Sequence, residues 1–182
     1  MTRLLLLAAL LLTASVGSAQ TLDLIGTVDL PAIATDSLET GGSDVWGCVA
    51  PDGAEYAIMG DIEGVSIVAV PSLEVVARIP GPTEDARWYW RDIKTYQNFA
   101  YAVSEGGGGI QVIDLSDVDN GVITELAAVT TGGTASSHNV AIDVESGFLY
   151  RCGGGSNGLR FYRLQDPEAP VFEGSWGNDY VH

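Results

Sequence analysis

The chain of 182 residues has two histidines, His138 and His182, and a single lysine, Lys94. His138 sits in SSHNVAID with Asn139 beside it; His182 closes DYVH. Imidazole titrates near neutral pH and, with carboxylate, suits zinc, manganese or iron. Local spacing does not make either histidine a site. The cysteines and histidines form no zinc-type cluster, and no G-x-S-x-G elbow exists to supply a serine nucleophile.

Two other stretches have the look of motifs and fail on context. Gly153–Gly158 satisfies G-x-G-x-x-G, but a dinucleotide site needs a helix after the glycines, and the strand-like LRFYRL follows. Gly106–Gly109 precedes an equivalent strand, so both runs are expected to be strand connections. In DLSDVDNG, Asp114, Asp117, Asp119 and Asn120 crowd one loop, but Gly121 and Ala128 stand where an EF-hand needs ligands. A solvated turn is the expectation there, with irregular calcium binding as the alternative.

Chemistry therefore has to come from residues that the fold brings together. Helix signals are nearly absent. Short runs rich in β-branched and aromatic residues recur between glycine, proline and aspartate: EYAIMG, VSIVAV, EVVARI, FAYAVS, IQVIDL, FLYRC, LRFYRL. They group into units of four strands over approximately residues 44–82, 89–131 and 136–177, a period of roughly 40–50 residues that marks β-propeller blades. A β-sandwich is the rival, but it predicts no blade-length repeat. The expected class is all-β, an incomplete propeller with about three blades. Residues 179–182 read as the opening of a fourth, so the chain is expected to be part of a longer protein, or else to assemble with other copies.

In a propeller the first strand of each blade lines the central channel. Aligning first strands superimposes Trp46-Gly47, Arg91-Asp92, His138-Asn139 and His182. Trp46, Arg91, Asp92, His138, Asn139 and His182 are thus the ligand-binding candidates, with Arg91 suited to an anionic group. Asp92, His138 and His182 are the candidates for a divalent metal (calcium, zinc or manganese). The competing expectation is that these side chains satisfy one another and neighbouring backbone.

SDVWGCVAPDGAEYAIMG, WRDIKTYQNFAYAVSE, GIQVIDLSD, SSHNVAID, GFLYRCGG, GLRFYRLQDPEAPVFEGSW and DYVH together resemble the choice-of-anchor B domain, whose blades are similar to LVIVD-type bacterial surface repeats. The resemblance spans roughly residues 20–182. It implies a secreted or surface-held propeller and brings no established enzymatic activity.

The N-terminus agrees on location. Arg3, the apolar Leu4–Leu12 and Gly17-Ser18-Ala19 form a signal peptide over residues 1–19, too short to span a bilayer as an anchor. Arg3 is the only charge removed, so the net charge moves from −16 to −17. So acidic a chain disfavours nucleic acid as a partner, and no integral membrane segment is expected after cleavage. Cys48 and Cys152 would be free to form a disulfide in an oxidising compartment, although the repeat places them at different strand positions. The reading is a secreted, periplasmic or cell-surface binding module for a surface protein, glycan or small ligand. A metal-dependent extracytoplasmic enzyme with a channel site is the alternative. Mass spectrometry of the exported protein is expected to find Gln20 as its first residue; retention of residues 1–19 would overturn the leader.

Overall fold

The computed structural model describes residues 22–31, 33–35, 38–81, 90–154 and 157–182; the leader expected over 1–19 lies outside them. A hairpin of β1 (Ile33–Thr35) and β2 (Leu38–Thr40) precedes three four-stranded antiparallel sheets. The first contains β3 (Gly42–Val49), β4 (Glu55–Asp61), β5 (Gly64–Val70) and β6 (Val75–Pro80). The second contains β7 (Arg91–Tyr96), β8 (Phe99–Ser104), β9 (Gln111–Asp117) and β10 (Val122–Glu125). The third contains β11 (Asn139–Asp143), β12 (Phe148–Cys152), β13 (Leu159–Arg163) and β14 (Val171–Trp176). Each is a simple meander in chain order, so the expected grouping into units of four is observed. Among the described residues there is no α-helix, only a 3-10 turn at Val118–Asn120.

The sheets pack face to face through two cores. Because successive side chains on a strand point to opposite faces, β8 supplies both. Ala100 and Ala102 join Ile58, Ile67, Ile93 and Ile113 between the first and second sheets. Tyr101 and Val103 join Val112, Val140, Leu149 and Tyr162 between the second and third. This two-sided burial explains why FAYAVS is an unbroken apolar run rather than an alternating one. Each fully buried Ile or Val here contributes about 1.5–3 kcal/mol of transfer free energy.

Polar side chains lock the sheets to each other. Gln111 of β9 donates through Nε2 to the carbonyl of Pro80 at 2.7 Å and to Glu125 Oε1 at 2.8 Å. The hydroxyl of Tyr101 donates to the carbonyl of Pro167 at 2.8 Å, joining the second sheet to the third. Arg151, fully buried in β12, donates to Ser137 Oγ at 2.8 Å, Tyr162 Oη at 2.9 Å and the Thr134 carbonyl at 2.8 Å. Arg160 caps the carbonyl of Gly132 at 2.8 Å. The buried Arg151 cation is stable here because a backbone carbonyl and two hydroxyls replace its water.

The two glycine runs connect second strands to third strands, as expected. Gly109 and Gly158 each precede a third strand with φ of 81° and 83°. A side chain on Gly158 would begin 1.6 Å from the Trp176 carbonyl, so only glycine lets β14 close on β13. In the acidic loop, Asn120 donates to Asp117 Oδ1 at 2.6 Å and the backbone of Ser116 donates to Asp114 Oδ1 at 2.8 Å, which accounts for these residues as turn formers.

Ile113 has no exposed surface and packs in the first core. Ile113→Ala is expected to destabilise by about 3–4 kcal/mol through the cavity it leaves, measured by urea denaturation. A loss below about 1 kcal/mol would show that the two sheets repack freely.

Candidate functional site

The first strands of the three sheets lie side by side, β7 between β3 and β11. One kind of interaction recurs in each pair. Asp44 Oδ2 accepts from the backbone N–H of Ile93 at 3.0 Å, and Asp92 Oδ2 accepts from that of Val140 at 2.7 Å. Carboxylate acceptors form hydrogen bonds roughly twice as strong as neutral ones. The repetition fixes the equivalence of the sheets: Ser43-Asp44, Arg91-Asp92 and His138-Asn139 occupy the same place. This corrects the register expected from sequence, which set Trp46-Gly47 against Arg91-Asp92. The reason is physical, since an acid or amide one residue before a β-branched side chain is what reaches the next strand.

Around this seam opens a cleft of about 560 Å³. It is lined from all three sheets, among others by Ser43, Asp44, Arg91, Asp92, Lys94, His138, Asn139, Cys152 and His182. Lys94 bridges the two aspartates, 2.5 Å from Asp92 Oδ1 and 3.3 Å from Asp44 Oδ2. His138 Nδ1 pairs with Glu105 Oε1, which follows β8. The imidazole of His182 lies against that of His138, ring centres 4.0 Å apart. Arg91 is only 5% exposed; its Nε donates to the Asp61 carbonyl at 2.9 Å and its backbone N–H to Ser43 Oγ at 3.2 Å.

The two aspartates titrate differently. Burial pushes Asp92 upward, and its hydrogen bond with Asp44 adds to that, against the opposing pull of Lys94 and the Val140 N–H. Burial also works to raise Asp44, but the hydrogen bond with Asp92, the Ile93 N–H and Lys94 together outweigh it, and Asp44 ends below its ordinary value. A pair this close titrates as a unit. Asp92 is the more enclosed carboxylate, 14% exposed against 32% for Asp44, so it takes the first proton.

Arg91, Asp92, His138, Asn139 and His182 line this one cleft. Trp46 does not join them. Its indole turns to a second cleft further along β3, with Nε1 donating to Thr95 Oγ1 at 3.1 Å. Nor do Asp92, His138 and His182 make the expected metal set. Among the described residues no group of three or more His, Cys, Asp or Glu side chains is arranged to hold a metal ion. Both oxygens of Asp92 are already committed, to Lys94 and to the N–H groups of Ile93 and Val140. Cys48 and Cys152 are free thiols, one lining the second cleft and the other the first. Residues that sequence reasoning passed over are Ser43, Asp44, Lys94 and Glu105. The signal for Asp44 was present, because SDV, RDI and HNV share an acid or amide before a β-branched residue.

No family model and no curated protein sequence matches this chain. Among solved structures it is similar to a GH43 β-1,3-galactosidase solved with galactodeoxynojirimycin, at 13% identity and a TM-score of 0.43. That match covers 78% of this chain and 47% of the other, so the chain spans about half the length of that structure.

Asp92 holds its proton to a higher pH folded than unfolded, so its contribution to stability is present in acid. It is lost as pH rises from the ordinary carboxylate value through the raised folded one. Asp92→Asn keeps an acceptor for Val140 and removes the titration. Urea denaturation between about pH 4 and 7 is expected to give the variant a flatter profile. Parallel profiles would show that Asp92 titrates as an ordinary surface acid.

Proposed function

We propose that this chain is a binding module held outside the cytoplasm, built as part of a β-propeller, which takes a small polar ligand in the cleft where the first strands meet. The observation that carries the reading is convergence. The sole lysine, both histidines and two aspartates, drawn from three separate units of the chain, line one opening between three sheets. Sites of this kind are concave, with a few polar groups aimed inward from a rigid frame. Sequential four-stranded meanders whose first strands adjoin are the arrangement of propeller blades. The resemblance to choice-of-anchor B domains and the leader at residues 1–19 support a secreted or surface-held protein. Closure of such a propeller takes further blades, from more chain or from other copies.

A second reading is favoured by one observation. Glu105 engages Nδ1 of His138 and so leaves Nε2 as the free nitrogen of a ring that lines the cleft, the orientation used by acid–base histidines. An extracytoplasmic enzyme would use that nitrogen to move a proton on a ligand held beside Lys94 and His182.

A thermal-shift screen of small polar metabolites is expected to yield ligands whose stabilisation is lost in Lys94→Ala and in His138→Gln. Ligands that bind both variants as tightly as the parent would sink this site. If His138→Gln retains binding but abolishes conversion of the ligand, followed by NMR, the enzyme reading replaces the binding one.

A further inference from the structure

The second cleft lies between the first and second sheets, has a volume of about 460 Å³, and shares no lining residue with the first. We propose that it binds a neutral glycan, with the apolar face of one pyranose stacked on Trp46. The indole is held ready for this. Its Nε1 is anchored on Thr95, and Lys94, which lines the first cleft, sits 4.5 Å from the ring centre on one face. Trp46 is nevertheless 43% exposed and lines the second cleft. It is thus a partition between the two openings, fixed in place before any ligand arrives, so stacking costs little ordering.

Charge selects the ligand class. Among the described residues no lysine, arginine or histidine lines this cleft, Glu55 stands in its wall, and the whole chain carries −16, all of which oppose an anion. Lys94 already draws the π density of Trp46 towards itself, so a second cation gains little from the other face. What remains is a neutral ligand with an apolar face and a hydrogen-bonding edge, which describes a pyranose ring. The wall supplies partners for hydroxyl groups in the Glu55 carboxylate and the Gln97 amide, an acceptor and a donor–acceptor respectively. Gln97 occupies the tight turn between β7 and β8 with φ of 52°, a left-handed position that glycine or asparagine suits better. Its amide side chain lines the cleft from that turn.

The test is titration with maltose, cellobiose and lactose to tens of millimolar, read by tryptophan fluorescence and saturation-transfer NMR. At least one sugar is expected to bind saturably, with affinity reduced about tenfold or more in Trp46→Ala. Gln97→Gly separates fold from binding, because it relieves the turn and should melt no lower than the parent while binding the sugar at least about threefold more weakly. No saturable response to any of the three sugars overturns the proposal, as does unchanged binding in Gln97→Gly. Binding that survives Trp46→Ala but is lost in His138→Gln would place the sugar in the first cleft and also overturn it.

Discussion

A carboxylate on the first strand of one sheet accepts the backbone N–H of the first strand of the next, and the other features of the site follow from that bond. Asp44 reaches Ile93, and Asp92 reaches Val140. Each bond, worth about 1.5–3 kcal/mol for a charged acceptor, sets how far one sheet is offset against its neighbour. With that offset fixed, the residue ahead of each acid or amide (Ser43, Arg91, His138) is brought to the same opening. The cleft is in this sense a by-product of the way the sheets are joined. Lys94 then offsets part of the negative charge of the two carboxylates that the joint requires.

The same lysine links the two openings. It touches the aspartates on one side and the indole of Trp46 on the other. The arrangement gives a shared wall rather than two independent sites. Anything that withdraws Lys94 from Trp46 alters the aspartate pair, and anything that reorients Trp46 alters the counter-charge of that pair.

Most of the strands were legible in the sequence because two-sided burial leaves a plain mark. FAYAV and the apolar residues of GIQVIDL occupy successive positions since β8 and β9 feed both cores. The four-strand repeat was legible for the same reason, with glycine runs that punctuate it at Gly106–Gly109 and Gly153–Gly158. Register was harder to read. Trp46 drew the alignment because it is conspicuous, whereas the group that fixes register is the modest Asp44 three residues behind the expected match. The Glu105–His138 pair was illegible in principle, because the two residues lie on different sheets and Glu105 is flanked by a serine and a glycine run that say nothing about its partner. Asp92, His138 and His182 line one cleft without forming a metal set among the described residues, because repeat position alone does not say which way a side chain turns.

The inward use of arginine has a consequence for the exterior. Arg91, Arg151 and Arg160 are buried, and each donates to a backbone carbonyl. Lys94 is held by its aspartates, and Arg163 spends its charge on Glu173 at 2.9 Å. Much of the little positive charge the chain possesses is thus used inside it or cancelled at its surface, while most of its 24 carboxylates are left to the solvent side. The outer surface is for that reason more uniformly anionic than the net charge of −16 alone conveys. Such a shell gathers counter-ions, and its self-repulsion weakens as the Debye length shrinks from about 30 Å at 0.01 M salt to about 3 Å at 1 M. The molecule is accordingly one whose compactness leans on the ionic strength around it.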